Sequence, residues 1–233
     1  MKRIGIVGGL GPEATLYYYR TLMDLCYADQ ALEGNTPEVV IYSLNLEECR
    51  KIMEEGRWPE MVDILLGAFS SLFQAGADFG LIAANTPHMV FDEINDKSPI
   101  PLLSIVEETC KAVVNKGLRK VGLLGTLTTM GSRFYADVFD KRHVTLESPK
   151  KEEQIFIYDK IVHELGVGIV LEETRKQFLE IAGGMIKDQH IEGLILGCTE
   201  IPLLLGKQKF DIPFFDTSKI HAKAALDFSL TEP

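Results

Sequence analysis

The sequence predicts an α/β fold of parallel sheets flanked by helices, and three observations indicate it. Apolar runs of strand length alternate along the chain with segments of helical periodicity, and the connections between them are short. Glycine or proline stands at several of the boundaries. The chain also repeats itself, since Lys2–Gly9 resembles Arg119–Thr126 and Gly80–His88 resembles Gly193–Glu200. The repeat predicts two pseudo-symmetric lobes with an active-site cleft between them.

In the first half, a strand at 2–7 leads through a glycine-rich turn into a helix that begins at Pro12, a residue favoured in the first turn of helices. The later strands of this half are predicted at 38–43, 79–84 and 100–103. The helices are predicted at 12–28, from 45 to about 56, 58–75, 87–95 and 105–117.

The second half repeats this order. Its strands are predicted at 119–124, 143–147, 192–197 and 212–215, and its helices at 132–140, 152–165, 170–187 and 216–229. A hydroxyl-rich loop is predicted at 125–131. Because Pro99 and Pro101 interrupt the chain, we expect it to cross between lobes there. The first lobe is therefore predicted at 1–100 with 211–233, and the second at 101–210.

Composition and charge exclude several classes of function. The formal net charge of −10 argues against nucleic-acid binding, which basic patches drive. No apolar run approaches the ~20 residues of a membrane span, and no signal-peptide region precedes the first strand, so we expect a cytoplasmic protein without a membrane partner. The four cysteines form no Cys-x-x-Cys pair, so we expect free thiols and no metal site.

Cys198 is the foremost candidate for chemistry. It follows a buried apolar strand and opens the run Cys198-Thr199-Glu200, at the carboxyl end where open parallel sheets bind ligands. Free cysteine is also common in apolar cores, so position alone leaves a core cysteine and a reactive one equally open. The matching strand that ends in Asn85 and Thr86 favours the reactive interpretation, because each half then supplies one polar cluster.

The turn Gly8–Gly11, which contains Leu10, is a second candidate for ligand binding. A strand, a glycine-rich turn and a helix N-terminus suit an anion. The spacing is not that of the dinucleotide fingerprint, and no acidic ribose partner is evident. A carboxylate ligand or a plain tight turn therefore fits better than a dinucleotide.

Four motifs together resemble the aspartate/glutamate racemase family, in the family's order and over nearly the whole chain. They are Ile4–Pro12, Asn85-Thr86-x-His88, Gly197-Cys-Thr-Glu200 and Phe215–His221. Glu200 makes the chain resemble the aspartate racemase branch, because glutamate racemases tend to have histidine at the corresponding position.

The resemblance implies a racemase that needs no cofactor and acts, as a homodimer, on a small amino acid or dicarboxylate. One cysteine from each lobe is expected beside the substrate's α-carbon. One thiolate removes the α-proton while the opposite thiol donates a proton to the other face, since inversion needs both steps on opposite sides. Cys198 is the expected thiol of the second lobe.

Ala84 stands where the family has its first cysteine, and a methyl group cannot carry a proton. Three explanations stay open: water, Thr86 or His88 serves this face; the chemistry differs; or the alanine is an introduced substitution. Two other functions fit a single thiol or none. One is a decarboxylase or isomerase of the same superfamily that works with one cysteine, and the other is a non-catalytic binder of small carboxylates.

The resemblance also implies substrate-binding roles. The residues expected to hold the α-carboxylate are Asn85, Thr86, Thr126, Thr129 and Thr199. Arg50 is expected to bind the side-chain carboxylate of an acidic amino acid, which a bidentate guanidinium suits. Each role has a structural alternative, namely capping of strand and helix ends for the polar residues and a solvated helix charge for Arg50. Glu200 is expected near a helix N-terminus, where a carboxylate is favoured. The family also uses a lysine from the region that corresponds to His163–Gly166, and this chain has no lysine at the matching position.

Overall fold

The chain folds into two compact units, each built around its own sheet. In this computed structural model, which describes residues 1–205 and 211–231, one unit comprises Met1–Glu108 and the chain from Ser218 onward. The other unit comprises Thr109–Thr217. Residues 206–210 and 232–233, which fall within the predicted lobes, lie outside the described residues.

The sheet of the first unit has four parallel strands in the order β2-β1-β3-β4. They are β1 (Ile4–Gly8), β2 (Val39–Ser43), β3 (Phe79–Ile82) and β4 (Leu102–Leu103). Every residue of the interior strands β1 and β3 is buried, whereas the edge strand β2 is partly exposed. Burial on both faces explains why the interior strands read as continuous apolar runs.

The sheet of the second unit has the same topology, β6-β5-β7-β8, and is also parallel throughout. Its strands are β5 (Lys120–Gly125), β6 (Thr145–Glu147), β7 (Gly193–Gly197) and β8 (Phe214–Asp216). The matching strand order confirms the prediction of an α/β fold with two related parallel sheets.

Helices flank both sheets. In chain order they are α1 (Pro12–Ala28), α2 (Leu46–Glu54), α3 (Trp58–Gln74), α4 (Phe91–Lys97), α5 (Ile105–Asn115), α6 (Leu127–Gly131), α7 (Phe134–Asp140), α8 (Lys151–His163), α9 (Glu172–Gln189), α10 (Ile201–Leu205) and α11 (Thr217–Ser229). Over the described ranges, none of these helices combines the length and apolarity needed to cross a bilayer.

Each unit has its own apolar core. In the first unit, Leu65 and Phe69 of α3 are fully buried in a cluster that includes Val7 and Ile82 of the sheet. In the second unit, Phe178 and the other buried apolar residues of α9 join Leu194 and Leu196 of β7. Fully burying one such side chain stabilises the fold by roughly 1.5–3 kcal/mol, so these helices are held mainly by their apolar faces.

A glycine–threonine contact fixes the turn after the first strand of each unit. A Cβ on Gly8 would lie 2.5 Å from the γ-methyl of Thr15, and a Cβ on Gly125 would lie 2.9 Å from that of Thr129. Gly9 has φ +79°, and its N–H donates to Thr15 Oγ1 at 2.9 Å. Only glycine allows the helix that follows each strand to begin so close to the sheet.

The boundaries between the units differ from those predicted. β4 pairs with β3, so residues 101–108 belong with the first sheet rather than the second lobe. β8 pairs with β7, so residues 211–217 belong with the second sheet. Strand pairing, rather than the prolines at 99 and 101, decides where one unit ends, and the first change of unit falls inside α5.

Two predicted segments take a different local structure. The hydroxyl-rich loop at 125–131 contains the short helix α6, because Thr126 caps it by accepting the N–H of Thr129. The helix predicted at 87–95 is split into a 3₁₀ helix at Thr86–Val90 followed by α4. Both differences arise from turn chemistry, which apolar periodicity does not record.

Candidate active site

In each sheet the chain turns in opposite directions from two adjacent interior strands. From β5 it moves to β6 on one side, and from β7 to β8 on the other, which leaves a crevice at the carboxyl ends of β5 and β7. Gly125 pairs with Gly197 in this register, so Thr126 and Cys198 are the next residues on the two strands. The sheet of the first unit has the same arrangement at β1 and β3.

Cys198, Thr199 and Glu200 form a hydrogen-bonded cluster at this edge. The Cys198 thiol donates to Glu200 Oε2 at 2.9 Å, and the Thr199 hydroxyl donates to the same oxygen at 2.7 Å. All three residues are at most 9% exposed. One carboxylate oxygen therefore accepts from both neighbours in a site largely removed from water.

The surroundings of Cys198 favour its neutral form. Burial, and then the negative charge of Glu200, raise the pKa of the Cys198 thiol well above its usual value. The backbone N–H groups of Thr199 and Glu200 act in the opposite direction and have the smaller effect. Because the thiolate is the reactive form, this cysteine needs an acceptor for its proton before it can act as a base.

Thr126 and Thr129 occupy the neighbouring strand end. Their hydroxyl oxygens lie 3.0 Å apart, and Thr126 Oγ1 accepts the backbone N–H of Thr129 at 3.2 Å. Thr129 is fully buried. Thr126 thus has the capping role that the sequence left open, and a ligand carboxylate would have to take over one of these hydroxyl hydrogen bonds.

In the first unit, the chain leaves β3 through Ala84 and Asn85. The N–H of Ala83 still donates to the carbonyl of Val7, at 2.9 Å, so this stretch continues the line of the sheet. Asn85 is 5% exposed and precedes the 3₁₀ helix at Thr86–Val90. The polar groups therefore follow the interior strand, as the sequence predicts.

His88 fixes this loop through its ring nitrogens. Its Nε2 accepts the N–H of Ile105 at 3.2 Å, so the proton of the neutral ring is on Nδ1. That Nδ1–H donates to the carbonyl of Ala84 at 3.0 Å. Burial lowers the pKa of His88 to about 4, so the ring is neutral at physiological pH.

His221 of α11 forms a second buried bridge within the same unit. Its Nε2–H donates to the carbonyl of Leu103 at 3.1 Å, and its Nδ1 accepts from the Tyr18 hydroxyl at 3.0 Å. Burial, with the proximity of His88, lowers the pKa of His221 to about 3. The last helix is thereby joined to both α1 and β4.

No group of three or more histidine, cysteine or acidic side chains within 1–205 and 211–231 is arranged to hold a metal ion. The donors at the two strand ends are one thiol, hydroxyls, an amide and a carboxylate. Such a set suits hydrogen bonding and proton transfer.

A family model described as Asp/Glu/Hydantoin racemase matches residues 7–225. The chain belongs to this family. The match extends over both units and includes both strand-end clusters, which confirms the resemblance read from the four motifs.

Relatives of this racemase family agree with that assignment. A broad specificity amino-acid racemase from Bacillus subtilis (strain 168) is 25% identical over 229 residues, which covers 96% of each chain. Two solved structures are each 33% identical and cover 99% of this chain and 100% of their own. One, from Yersinia pestis and provisionally named an Asp/Glu racemase, has a TM-score of 0.90, and the other, an aspartate racemase homologue from Pyrococcus horikoshii OT3, has 0.86.

Two predicted substrate-binding residues of this racemase-family chain already have partners. Arg50 lies on α2, where its guanidinium contacts Glu47 at 2.6 Å and Glu54 at 2.8 Å. Leu10 is half-buried and packs against the apolar core of the first unit. A substrate carboxylate would therefore compete with two glutamates for Arg50, and Leu10 can offer only apolar contact or its backbone.

The pairing of Cys198 with Glu200 and the bridge from His221 to Tyr18 did not emerge from the sequence. A residue two positions away in a turn has no fixed direction, so spacing alone gave no reason to join the thiol to the carboxylate. The Tyr18–His221 contact joins residues that are 203 positions apart. Only the closing of the first unit by α11 brings them together.

We expect the folded protein to lose stability in weak acid because of His88 and His221. Their folded pKa values are lowered to about 4 and 3, whereas an unfolded histidine titrates near 6.5. Their contribution is therefore complete above about pH 6.5 and is lost as the pH falls from there toward 4, because the unfolded chain takes up protons first. The free energy of unfolding should fall by about 1.4 kcal/mol per pH unit for each histidine in this window.

Urea denaturation at pH 7 and pH 5 measures this loss, which should be roughly 2–4 kcal/mol for the wild type. His88→Gln should remove about half of it. His163→Gln, at an exposed histidine, is the matched control and should keep the wild-type difference. An unchanged difference in His88→Gln would show that this ring does not set the acid sensitivity.

Proposed function

We propose that this chain is an amino-acid racemase of the aspartate/glutamate type that works without a cofactor. The observation that carries the proposal is the position of Cys198, a thiol hydrogen-bonded to a carboxylate at the crevice of the second sheet in a chain of the racemase family. Cys198 is proposed to remove the α-proton and to return a proton on one face of the substrate.

The polar groups at the strand ends suit a small carboxylate. We propose that the α-carboxylate accepts hydrogen bonds from the residues predicted for this role, namely Asn85, Thr86, Thr126, Thr129 and Thr199. Several of these side chains are partly or fully buried and hold internal hydrogen bonds, so binding requires exchange of one partner for another. Such an exchange favours a ligand that brings full negative charge, because hydrogen bonds to ions are stronger than those between neutral groups.

Ala84 supports a second candidate function. A racemase needs a proton carrier for each face, and the methyl group of Ala84 supplies none. A decarboxylase that protonates one face of a planar enolate after CO₂ leaves requires only one thiol, which Cys198 provides. Release of CO₂ from an arylmalonate would favour this candidate, and loss of the α-proton signal from an amino acid in D₂O would favour the racemase.

Cys198→Ala should abolish α-proton exchange, because it removes the proposed base. The measurement is ¹H NMR in D₂O with L- and D-aspartate, L- and D-glutamate and alanine, in which the α-proton signal disappears as deuterium replaces it. Cys49→Ala is the matched control, since Cys49 is a buried free cysteine on α2 and should be dispensable. Exchange that persists in Cys198→Ala would remove this thiol from the reaction.

Arg50→Ala should weaken binding of aspartate and glutamate roughly tenfold to hundredfold and leave alanine unaffected. A hydrogen bond to a charged group contributes about 1.5–3 kcal/mol, and alanine has no side-chain carboxylate to lose it. Arg57→Ala is the matched control, because Arg57 is also partly exposed and paired with two glutamates, Glu55 and Glu60. Equal losses for all three amino acids would place Arg50 outside the side-chain pocket.

Ala84→Cys should speed racemisation in both directions if the missing thiol limits the reaction. One well-placed acid or base contributes roughly 10²–10⁴-fold, so the gain should be large. Ala84→Ser is the control, since it adds a group of similar size that is a much weaker acid. Rates of D-to-L and L-to-D conversion by polarimetry measure the effect. A folded Ala84→Cys variant with unchanged rates would mean that another group already serves this face.

A further inference from the structure

The strongest unexplained feature of the second unit is that Cys198 and Thr199 share one acceptor oxygen. Glu200 Oε2 lies 2.9 Å from the Cys198 sulfur and 2.7 Å from the Thr199 hydroxyl oxygen. All three residues are buried at a strand end that the sheet topology makes a ligand crevice. Taking an ionised carboxylate out of water costs free energy. A purely structural role for a buried glutamate beside a thiol is therefore unfavourable.

The elements packed around the cluster carry other polar and ionisable groups. On β8, Asp216 pairs in register with Leu196, two positions before Cys198. On the side of β5 and α6, the adjacent strand end carries the hydroxyls of Thr126 and Thr129, which do not ionise in the physiological range. Arg175 of α9 is engaged with the carbonyl of Leu204 at 2.9 Å.

We propose that Glu200 is the proton acceptor of Cys198, so that the two side chains work as a proton relay on one face of the substrate. The proposal rests on the racemase function proposed above and assigns the residue that makes the thiol a base. Before a substrate binds, the Thr199 hydroxyl donates to the same oxygen and holds it toward the sulfur.

Charge makes the relay the more favourable way to form a thiolate. If Cys198 lost its proton to solvent while Glu200 stayed ionised, two negative charges about 3 Å apart would be buried together, which strongly disfavours the second ionisation. Transfer of the proton from sulfur to Glu200 keeps the total charge of the pair at −1. The two groups then titrate as a coupled pair rather than independently.

Each step balances with water as the only other reactant. The S–H bond of Cys198 breaks, its electron pair stays on sulfur, and the proton forms an O–H bond on Glu200. The thiolate then takes the substrate's α-proton, whose electron pair stays on the substrate carbanion. In D₂O the pair exchanges a proton for a solvent deuteron, Cys198 returns a deuteron to the carbanion, and Glu200 restores the thiol.

The relay has a distinctive pH signature. Transfer within the pair neither takes up nor releases a proton, so the fraction of thiolate stays constant with pH while the pair holds one proton. A thiol that ionises to solvent instead gains thiolate tenfold per pH unit below its pKa. If Glu200 only opposed the thiolate by its charge, the wild type would show this tenfold dependence, and removal of the charge would raise reactivity at every pH.

The test compares alkylation of Cys198 by iodoacetamide at pH 6, 7 and 8 in the wild type and in Glu200→Gln, with the modified peptide quantified by mass spectrometry. We expect the wild-type rate to change less than about threefold over this range and that of Glu200→Gln to rise about a hundredfold, because only the variant depends on ionisation to solvent. Glu200→Asp, which keeps a carboxylate, should retain the flat profile. Rates of α-proton exchange of aspartate should follow the same pH profiles.

A wild-type alkylation rate that rises tenfold per pH unit would overturn the relay, and this outcome needs no variant to fold. A flat profile in Glu200→Gln would overturn it as well, because Gln cannot accept the proton. The proposed function fails separately: if the wild type shows the flat alkylation profile but exchanges no α-proton of any amino acid tested, the relay stands and the racemase substrate is wrong.

Discussion

The close pairing of two interior parallel strands in each unit is the constraint on which the rest of the structure depends. In the second unit it aligns Gly125 with Gly197, and the absence of side chains there lets Thr129 fill the space at the strand ends. Thr126 and Cys198 then leave the sheet from adjacent positions. A side chain on either glycine would push the threonine, and with it α6, away from the strand that carries the thiol.

Because these strand ends are buried, the protonation state of each ionisable side chain there depends on the residues beside it. A polar side chain that leaves water needs a partner, and His88, His221 and Cys198 each have one within their own unit. His88 and His221 each have two partners that fix the neutral ring. Cys198 has a carboxylate, which disfavours its ionised form. The same packing rule thus gives rigid neutral histidines in one unit and a proton-sharing pair in the other.

The sequence predicted the fold class, the family and the repetition of the same succession of strands and helices in both halves, because these depend on apolar periodicity and on glycines at fixed places. It also predicted that Cys198 and Asn85 follow interior strands. It did not predict the partner of Cys198, since a short turn can direct a side chain in several ways. The predicted unit boundaries, which relied on Pro99 and Pro101, differ from the observed ones, because strand pairing outweighs local interruption of the chain.

The first unit is discontinuous, and this has a consequence for synthesis. Its core is closed by α11, whose His221 reaches Tyr18 and whose Ser229 carbonyl accepts the N–H of Lys2 at 2.7 Å. That helix is synthesised after the whole of the second unit, Thr109–Thr217, which is contiguous. Domains fold as units while the chain emerges. Residues 1–108 must therefore wait, incomplete, until α11 has been synthesised, and chaperones can bind them during that time.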